Sequence, residues 1–145
     1  MTLNELELRL SELRKDMGVT YKWLSEHGLA MATVNKINNG GNYKMGSLFK
    51  YATNLYYAIR VDGEAVFDNI TFGQLLRKKR ISLGYNGVQL QSKLVWSPAK
   101  LIKIEKGQEY FKTALLEYLK VIPVDFDLVN ASELSDEEQE KYLNY

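Results

Sequence analysis

The sequence predicts a mainly α-helical protein: two tandem helical bundles, each followed by a short strand or hairpin, and a final C-terminal helix. Three observations carry this. The chain repeats itself, apolar residues recur at spacings of three and four, and capping and glycine stop signals bracket the runs. In the repeat, Arg14 matches Arg80, Gly18 matches Gly84 and Leu24 matches Leu90, each 66 residues apart. Val34 then matches Leu101, Ile37 matches Ile104, Gly40 matches Gly107, Leu48 matches Leu115 and Tyr51 matches Tyr118, each 67 apart. One residue is therefore missing from the first copy between Leu24 and Val34. A helix–helix turn is where such a change of length is expected.

Each element has a local reason. Leu3, Leu6, Leu10, Leu13 and Met17 form one apolar stripe, and Thr2 with Glu5 makes a capping box in front of it. Gly18 is placed to end that helix in the left-handed conformation. Thr20 caps a second short helix carrying Trp23 and Leu24, with His27 at its end and Gly28 as the break. The stretch TVNKINNGG reads as a third helix, from about Ala30 to Asn39, stopped by Gly40 and Gly41. A fourth covers roughly Ser47 to Tyr57, with Leu48, Tyr51, Ala52 and Leu55 inward. The second copy repeats this plan. Its third helix opens on Ser97 as cap and Pro98 at the first helical position, where a missing N–H costs nothing.

The stretch YAIRVDGEAVF places β-branched residues around Asp62-Gly63, a hairpin signal. KVIPVDFDLV holds the corresponding place after the second copy and reads as another short strand. Ser135 and Glu138 form a capping box with acids in the first turn, opening a terminal helix. The expected divisions are residues 1–58, a connecting hairpin at 59–69, the second copy at 70–123, and a strand plus acidic helix at 124–145.

Composition narrows the function classes. The chain has 145 residues and no cysteine, which excludes disulfides and thiolate metal sites. With His27 alone, a His-rich metal site is excluded, and neither a catalytic constellation nor a cofactor is expected. The Gly-rich NNGG follows a helix rather than a strand, so it is a poor phosphate cradle. The opening MTLNELELRLSELRK does not look like a signal peptide, and no apolar run is long enough to span a membrane. A cytoplasmic, non-enzymatic protein without a membrane partner is expected. The net charge of +1 hides a segregation. Residues 1–69 carry eight Lys/Arg and eight Asp/Glu, residues 70–123 ten and three, and residues 124–145 one and seven. Either the middle block faces a polyanion, with the acidic tail competing for it or packing against the block near Lys100 and Lys103, or both are solvated faces whose fields largely cancel.

Both copies resemble the helix-turn-helix domain of the lambda-repressor/Cro family, the xenobiotic-response-element type. The second copy reads LRKKRISLGYN…QLQSKLVWSPAKLIKIEKG, with Leu76, Arg77, Arg80, Gly84, Leu90, Leu94, Leu101, Ile104, Glu105 and Gly107 in register. The first reads LSELRKDMGVTYKWL…TVNKINNG, with Leu10, Arg14, Gly18, Val19, Thr20, Leu24, Val34, Ile37 and Gly40. The family's Gln at the start of the second helix is Tyr21 in one copy and Gly87 in the other. The resemblance implies an Arg80–Glu105 pair joining the first helix to the end of the third; the first copy has Asn38 opposite Arg14.

The resemblance implies sequence-specific binding of double-stranded DNA, as a small transcriptional regulator, with helices near 30–39 and 97–106 in the major groove. With Val34 and Ile37 inward, Met31, Ala32, Asn35 and Lys36 face out as candidate base readers. Tyr21, Lys22, Asn39, Asn42 and Lys44 are candidate phosphate contacts. In the second copy the outward set is Pro98, Ala99, Ile102 and Lys103 with Lys100 beside it, followed by Lys106, Gln108 and Lys112 as candidate phosphate contacts. Two copies in one chain suggest an intramolecular pseudo-dimer oriented by its two strands, with a homodimer as the other possibility. The competing expectation is a protein-interaction or antitoxin-like module, favoured by Ile102, the missing Gln residues and the acidic tail.

Overall fold

The structure, a computed structural model, describes residues 1–144 and is mainly helical, with one small three-stranded antiparallel sheet. Helix α1 (Leu3–Asp16) starts on the Thr2–Glu5 capping box. Short α2 (Tyr21–Glu26) is capped by Thr20, and α3 (Met31–Asn38) and α4 (Gly46–Asn54) follow. Strands β1 (Tyr57–Val61) and β2 (Glu64–Val66) form the hairpin. The second set begins with α5 (Asn69–Ser82), capped by Asp68, and α6 (Gly87–Leu94), capped by Asn86. Helix α7 (Pro98–Glu105) is capped by Ser97 with Pro98 in its first turn, and α8 (Lys112–Val121) follows. Strand β3 (Phe126–Asn130), a single 3₁₀ turn (Ala131–Glu133) and α9 (Asp136–Leu143) complete the described chain. The Ser135–Glu138 capping box opens α9 as expected.

Burial follows the predicted stripes. Leu3, Leu6, Leu10 and Leu13 are buried along α1, and Leu48, Tyr51, Ala52 and Leu55 along and just beyond α4. At roughly 1.5–3 kcal/mol for each fully buried large apolar side chain, these faces hold the helices in place. One continuous core takes residues from both copies, including Leu6, Ile37, Phe72, Leu101, Tyr118 and Phe126. Met17 departs from its stripe: it is the C-cap of α1 and half exposed.

Three further details differ from the sequence reading. Helix α4 ends at Asn54 rather than Tyr57, because Tyr56 takes a left-handed φ of 62° and Tyr57 already pairs with Asn130 in the sheet. The second strand uses only the end of KVIPVDFDLV, since α8 runs to Val121 and Pro123 follows its C-cap, Ile122. The residue by which the copies differ lengthens a helix, not the turn. Gly28 and Val95 hold the same left-handed turn position, 67 apart, while α6 runs two residues longer than α2.

The two halves meet through paired equivalents. The sheet order is β2-β1-β3, and β1 and β3 run antiparallel with Arg60 opposite Asp127. Lys44 and Phe111 form an isolated antiparallel bridge. In both pairings the partners are 67 apart, the repeat's own offset. Around the bridge the backbone bonds are reciprocal: Met45 N–H donates to Tyr110 O and Lys112 N–H to Tyr43 O, both at 2.9 Å. Shifting Met45 and Tyr110 by one repeat gives Lys112 and Tyr43. Such mutual exchange is the register of a two-fold-related pair.

The symmetry is broken beside this bridge. Lys112, 5% exposed, reaches the carboxylate of Glu7, 1% exposed, at 2.8 Å. Its Nζ also donates to Gly40 O and Gly41 O at the end of α3. Tyr43 donates its hydroxyl to the same carboxylate. The equivalent positions hold Gly73 and Met45. Gly73 is required there, because a Cβ would sit 2.6 Å from Ile104 O and 2.7 Å from Glu105 O. The expectation that Lys112 contacts phosphate is thus overturned: its ammonium is consumed in the core.

Lys112→Met is expected to destabilise the fold by about 3–5 kcal/mol, since it strands the Glu7 carboxylate. Lys112→Met combined with Glu7→Leu is expected to recover most of that loss, read by urea unfolding. Burial, and then the hydrogen bond to Glu7, raise the Tyr43 hydroxyl above its ordinary pKa of 10.0. The folded state therefore favours neutral Tyr43, a contribution complete below pH 10.0 and lost as pH rises above it. Thermal midpoints measured by circular dichroism are expected to fall above about pH 10, with Tyr43→Phe flattening the fall.

Candidate nucleic-acid interface

In each half a short helix, a tight turn and a second helix pack against the first helix. In the second half, Arg80 holds this unit together. Its guanidinium binds Glu105 with two bonds, Nε to Oε2 at 2.7 Å and Nη2 to Oε1 at 2.8 Å, and Nη1 donates to Tyr85 O. Tyr118 on α8 donates to the same Glu105 carboxylate and its hydroxyl also reaches Leu76 O. The pair predicted from the sequence is present, buried and bidentate. The Glu105 hydrogen bond holds Arg80 above its ordinary pKa, while burial and then Glu105 raise Tyr118.

The first half does the same task without a carboxylate. Arg14 donates to Val19 O, the equivalent of Tyr85 O, and stacks its guanidinium over the Tyr21 ring at 4.5 Å. Asn38 bridges two hydroxyls, donating to Tyr21 Oη at 3.2 Å and accepting from Tyr51 Oη at 3.0 Å. Tyr21 is half-buried in this network, so its hydroxyl faces the fold and not a ligand. Among the candidate phosphate contacts it is the one the structure draws inward together with Lys112.

The remaining candidates distribute as follows. On α3, Val34 and Ile37 are fully buried, while Met31, Ala32, Asn35 and Lys36 are exposed. On α7, Leu101 and Ile104 are buried, while Pro98, Ala99, Ile102 and Lys103 are exposed. Lys22, Asn39, Lys44, Lys106 and Gln108 are exposed. Asn42 is exposed but already accepts the Thr113 N–H, tying the first half to the start of α8. Lys100 is half-buried, paired with Glu117 at 3.2 Å and lying over the Trp96 ring at 4.7 Å. The Trp96 N–H, donating to Glu117 at 2.7 Å, and then Lys100 lower the Glu117 pKa.

Lys44, Lys100 and Lys103 come together on one groove of about 460 Å³ beside the bridge between the halves. Glu109, Phe111 and Glu117 also line it. Lys44 belongs to the first half and the other two lysines to the second, so the groove exists only because the halves are docked. The sequence reading missed Phe111. It is half exposed at the bridge and equivalent to Lys44. Only the 67-residue offset, applied to the loops as well as the helices, would have singled it out.

The acidic tail does not lie on Lys100 and Lys103. Its helix α9 packs on the opposite partners. Tyr142 joins Ala58, Phe67, Ala131 and Leu134 in a second apolar cluster, and its hydroxyl donates to Thr53 O. Glu138 pairs with Arg60 at 3.1 Å. These contacts take the tail to Arg60 and the second apolar cluster rather than to Lys100 and Lys103. Among the described residues no cluster of three His, Asp or Glu is arranged to hold a metal ion, and no helix is long and apolar enough to cross a membrane.

The turn between α6 and α7 stores strain. Val95 sits at φ 56°, ψ 46°, is 92% exposed, and occupies the position that is Gly28 in the first half. A left-handed conformation costs an L-residue roughly 1–2 kcal/mol, and a β-branched one pays the most. Val95→Gly is expected to stabilise the chain by about 0.5–1 kcal/mol after the extra entropy of the unfolded glycine is deducted, measured by urea denaturation. Comparison of this chain with protein-family models, with curated proteins and with solved structures found no match.

Proposed function

We propose that this chain is a sequence-specific double-stranded DNA-binding protein, a small transcriptional regulator built from two tandem lambda-repressor-like helix-turn-helix units. In this reading α3 and α7 lie in successive stretches of the major groove. Asn35 and Lys36, and Ile102 and Lys103, reach base edges. Lys22, Lys44 and Lys106 hold phosphates and set the register. Lys100 contributes less, because Glu117 already neutralises it in part.

The observation that carries this reading is the pairing of equivalents, Lys44 with Phe111 and Arg60 with Asp127. A duplex presents its half-sites with two-fold symmetry, and proteins that read it match that symmetry. Here one chain supplies both halves of the match, and its exposed lysines on α3, α7 and the bridge lie outside the core that joins them. A second reading, a protein-interaction or antitoxin-like module, is favoured by one specific feature: Val88, Val95 and Ile102 are exposed apolar residues on α6, α7 and the turn between them.

Fluorescence anisotropy with random duplex DNA at several salt concentrations tests the first reading. Binding is expected to weaken with a log–log slope of about −0.9 for each phosphate neutralised. Lys22→Ala and Lys106→Ala, which remove phosphate contacts, are each expected to weaken binding and flatten that slope by about one unit, whereas Lys36→Ala and Lys103→Ala are expected to relax the preference for a selected site. Absence of binding at low salt overturns the reading and leaves the apolar surface as the functional one.

A further inference from the structure

The two reading surfaces are equivalent in position but not in chemistry. Met31 matches Pro98, Ala32 matches Ala99, Asn35 matches Ile102 and Lys36 matches Lys103, all at the offset of 67. Ala and Lys are common to both. The change that matters is at the middle of the exposed face, where the first half has Asn35 and the second has Ile102, 48% exposed. Asn offers a donor and an acceptor that fit adenine N6 and N7; Ile offers neither and fits the thymine methyl. An adenine edge facing Ile102 is left with its polar groups unpaired.

The flanking cations differ as well. Lys22 at the start of α2 corresponds to Val88, 73% exposed, whereas Asn39 at the end of α3 corresponds to Lys106. At these two pairs of positions the first half carries its cation before its reading helix, and the second carries it after. The halves are also not interchangeable in the core, where Glu7 and Lys112 stand opposite Gly73 and Met45.

Resting on the DNA reading above, we propose that this chain binds a non-palindromic duplex site in one fixed orientation. Asn35 selects adenine in one half-site, and Ile102 selects thymine at the equivalent position of the other. A dimer of identical subunits reads an inverted repeat and has no direction on DNA. Here the covalent link holds two unlike readers in a two-fold frame, so the site is an inverted repeat broken at the position facing residues 35 and 102. Binding then gives the complex a left and a right.

Selection of bound sequences from a random duplex pool by the full chain tests this. The expected product is a broken inverted repeat of constant polarity. Ile102→Asn is expected to make the selected base at the position facing residues 35 and 102 the same adenine in both half-sites, and to tighten binding to a site so changed about tenfold, the size of one bidentate base contact. Residue 102 is exposed, and an unchanged urea midpoint confirms that the variant folds. Asn35→Ile is the reverse exchange and is expected to place thymine at that position of both half-sites, so the test survives if one variant fails to fold. Selection of a palindrome from the pool by the unmodified chain overturns the asymmetry and leaves DNA binding intact. Absence of any salt-sensitive binding overturns both.

Discussion

A lysine ammonium cannot stay charged in an apolar core without an anion beside it, and Lys112 meets that requirement with Glu7. The remainder of the architecture is arranged around this constraint. The pair joins α1 of the first half to the start of α8 in the second. Its further bonds to Gly40 O and Gly41 O fix the end of α3 to the same point. A cation at a helix C-terminus also meets the negative end of the helix dipole. The Lys112 ammonium thus has three acceptors for three N–H donors, and no donor is left over. Replacing both charges by apolar groups is often neutral in such places, so the pair is better understood as fixing position than as adding stability.

Position is what the interface needs. The bridge at Lys44 and Phe111, the reciprocal bonds of Met45 and Lys112, and the β1–β3 ladder all demand one alignment of the halves. On the other side of the local two-fold, Met45 is buried and Gly73 lets the carbonyls of Ile104 and Glu105 approach. One flank is held by charge and the other by close packing. The third helices are held by unlike means too: a buried arginine–glutamate pair for α7, a tyrosine–asparagine–tyrosine chain for α3.

Much of this was legible in the sequence, because it is local. Caps such as Thr2–Glu5, Ser97 and Ser135–Glu138, stop signals such as Gly18 and Gly84, and the inward stripes depend on residues within a few positions of one another. The Arg80–Glu105 pair was legible through a resemblance. The surfaces of α3 and α7 followed from periodicity alone. What escaped was set by distant partners. Lys112 reads as an exposed loop lysine until Glu7, 105 residues away in sequence, is placed beside it. Tyr21 turns inward because Asn38 and Arg14 meet it there. Helix α4 ends early because β3 claims Tyr57. The tail's destination depends on Phe67 and Ala58, which no charge pattern indicated.

The span of the Glu7–Lys112 contact has a consequence for how the molecule is made. During synthesis the first half emerges with Glu7 and Tyr43 in place but without their ammonium. Strand β1 has only β2 for a neighbour, since β3 is encoded more than sixty residues later. Until α8 and β3 leave the ribosome, the nascent first half lacks both the ammonium that pairs with Glu7 and the strand that covers the free edge of β1. Domains generally fold in order as they are synthesised. This chain has reason to wait: its first half becomes a settled structure only when the second arrives to complete it.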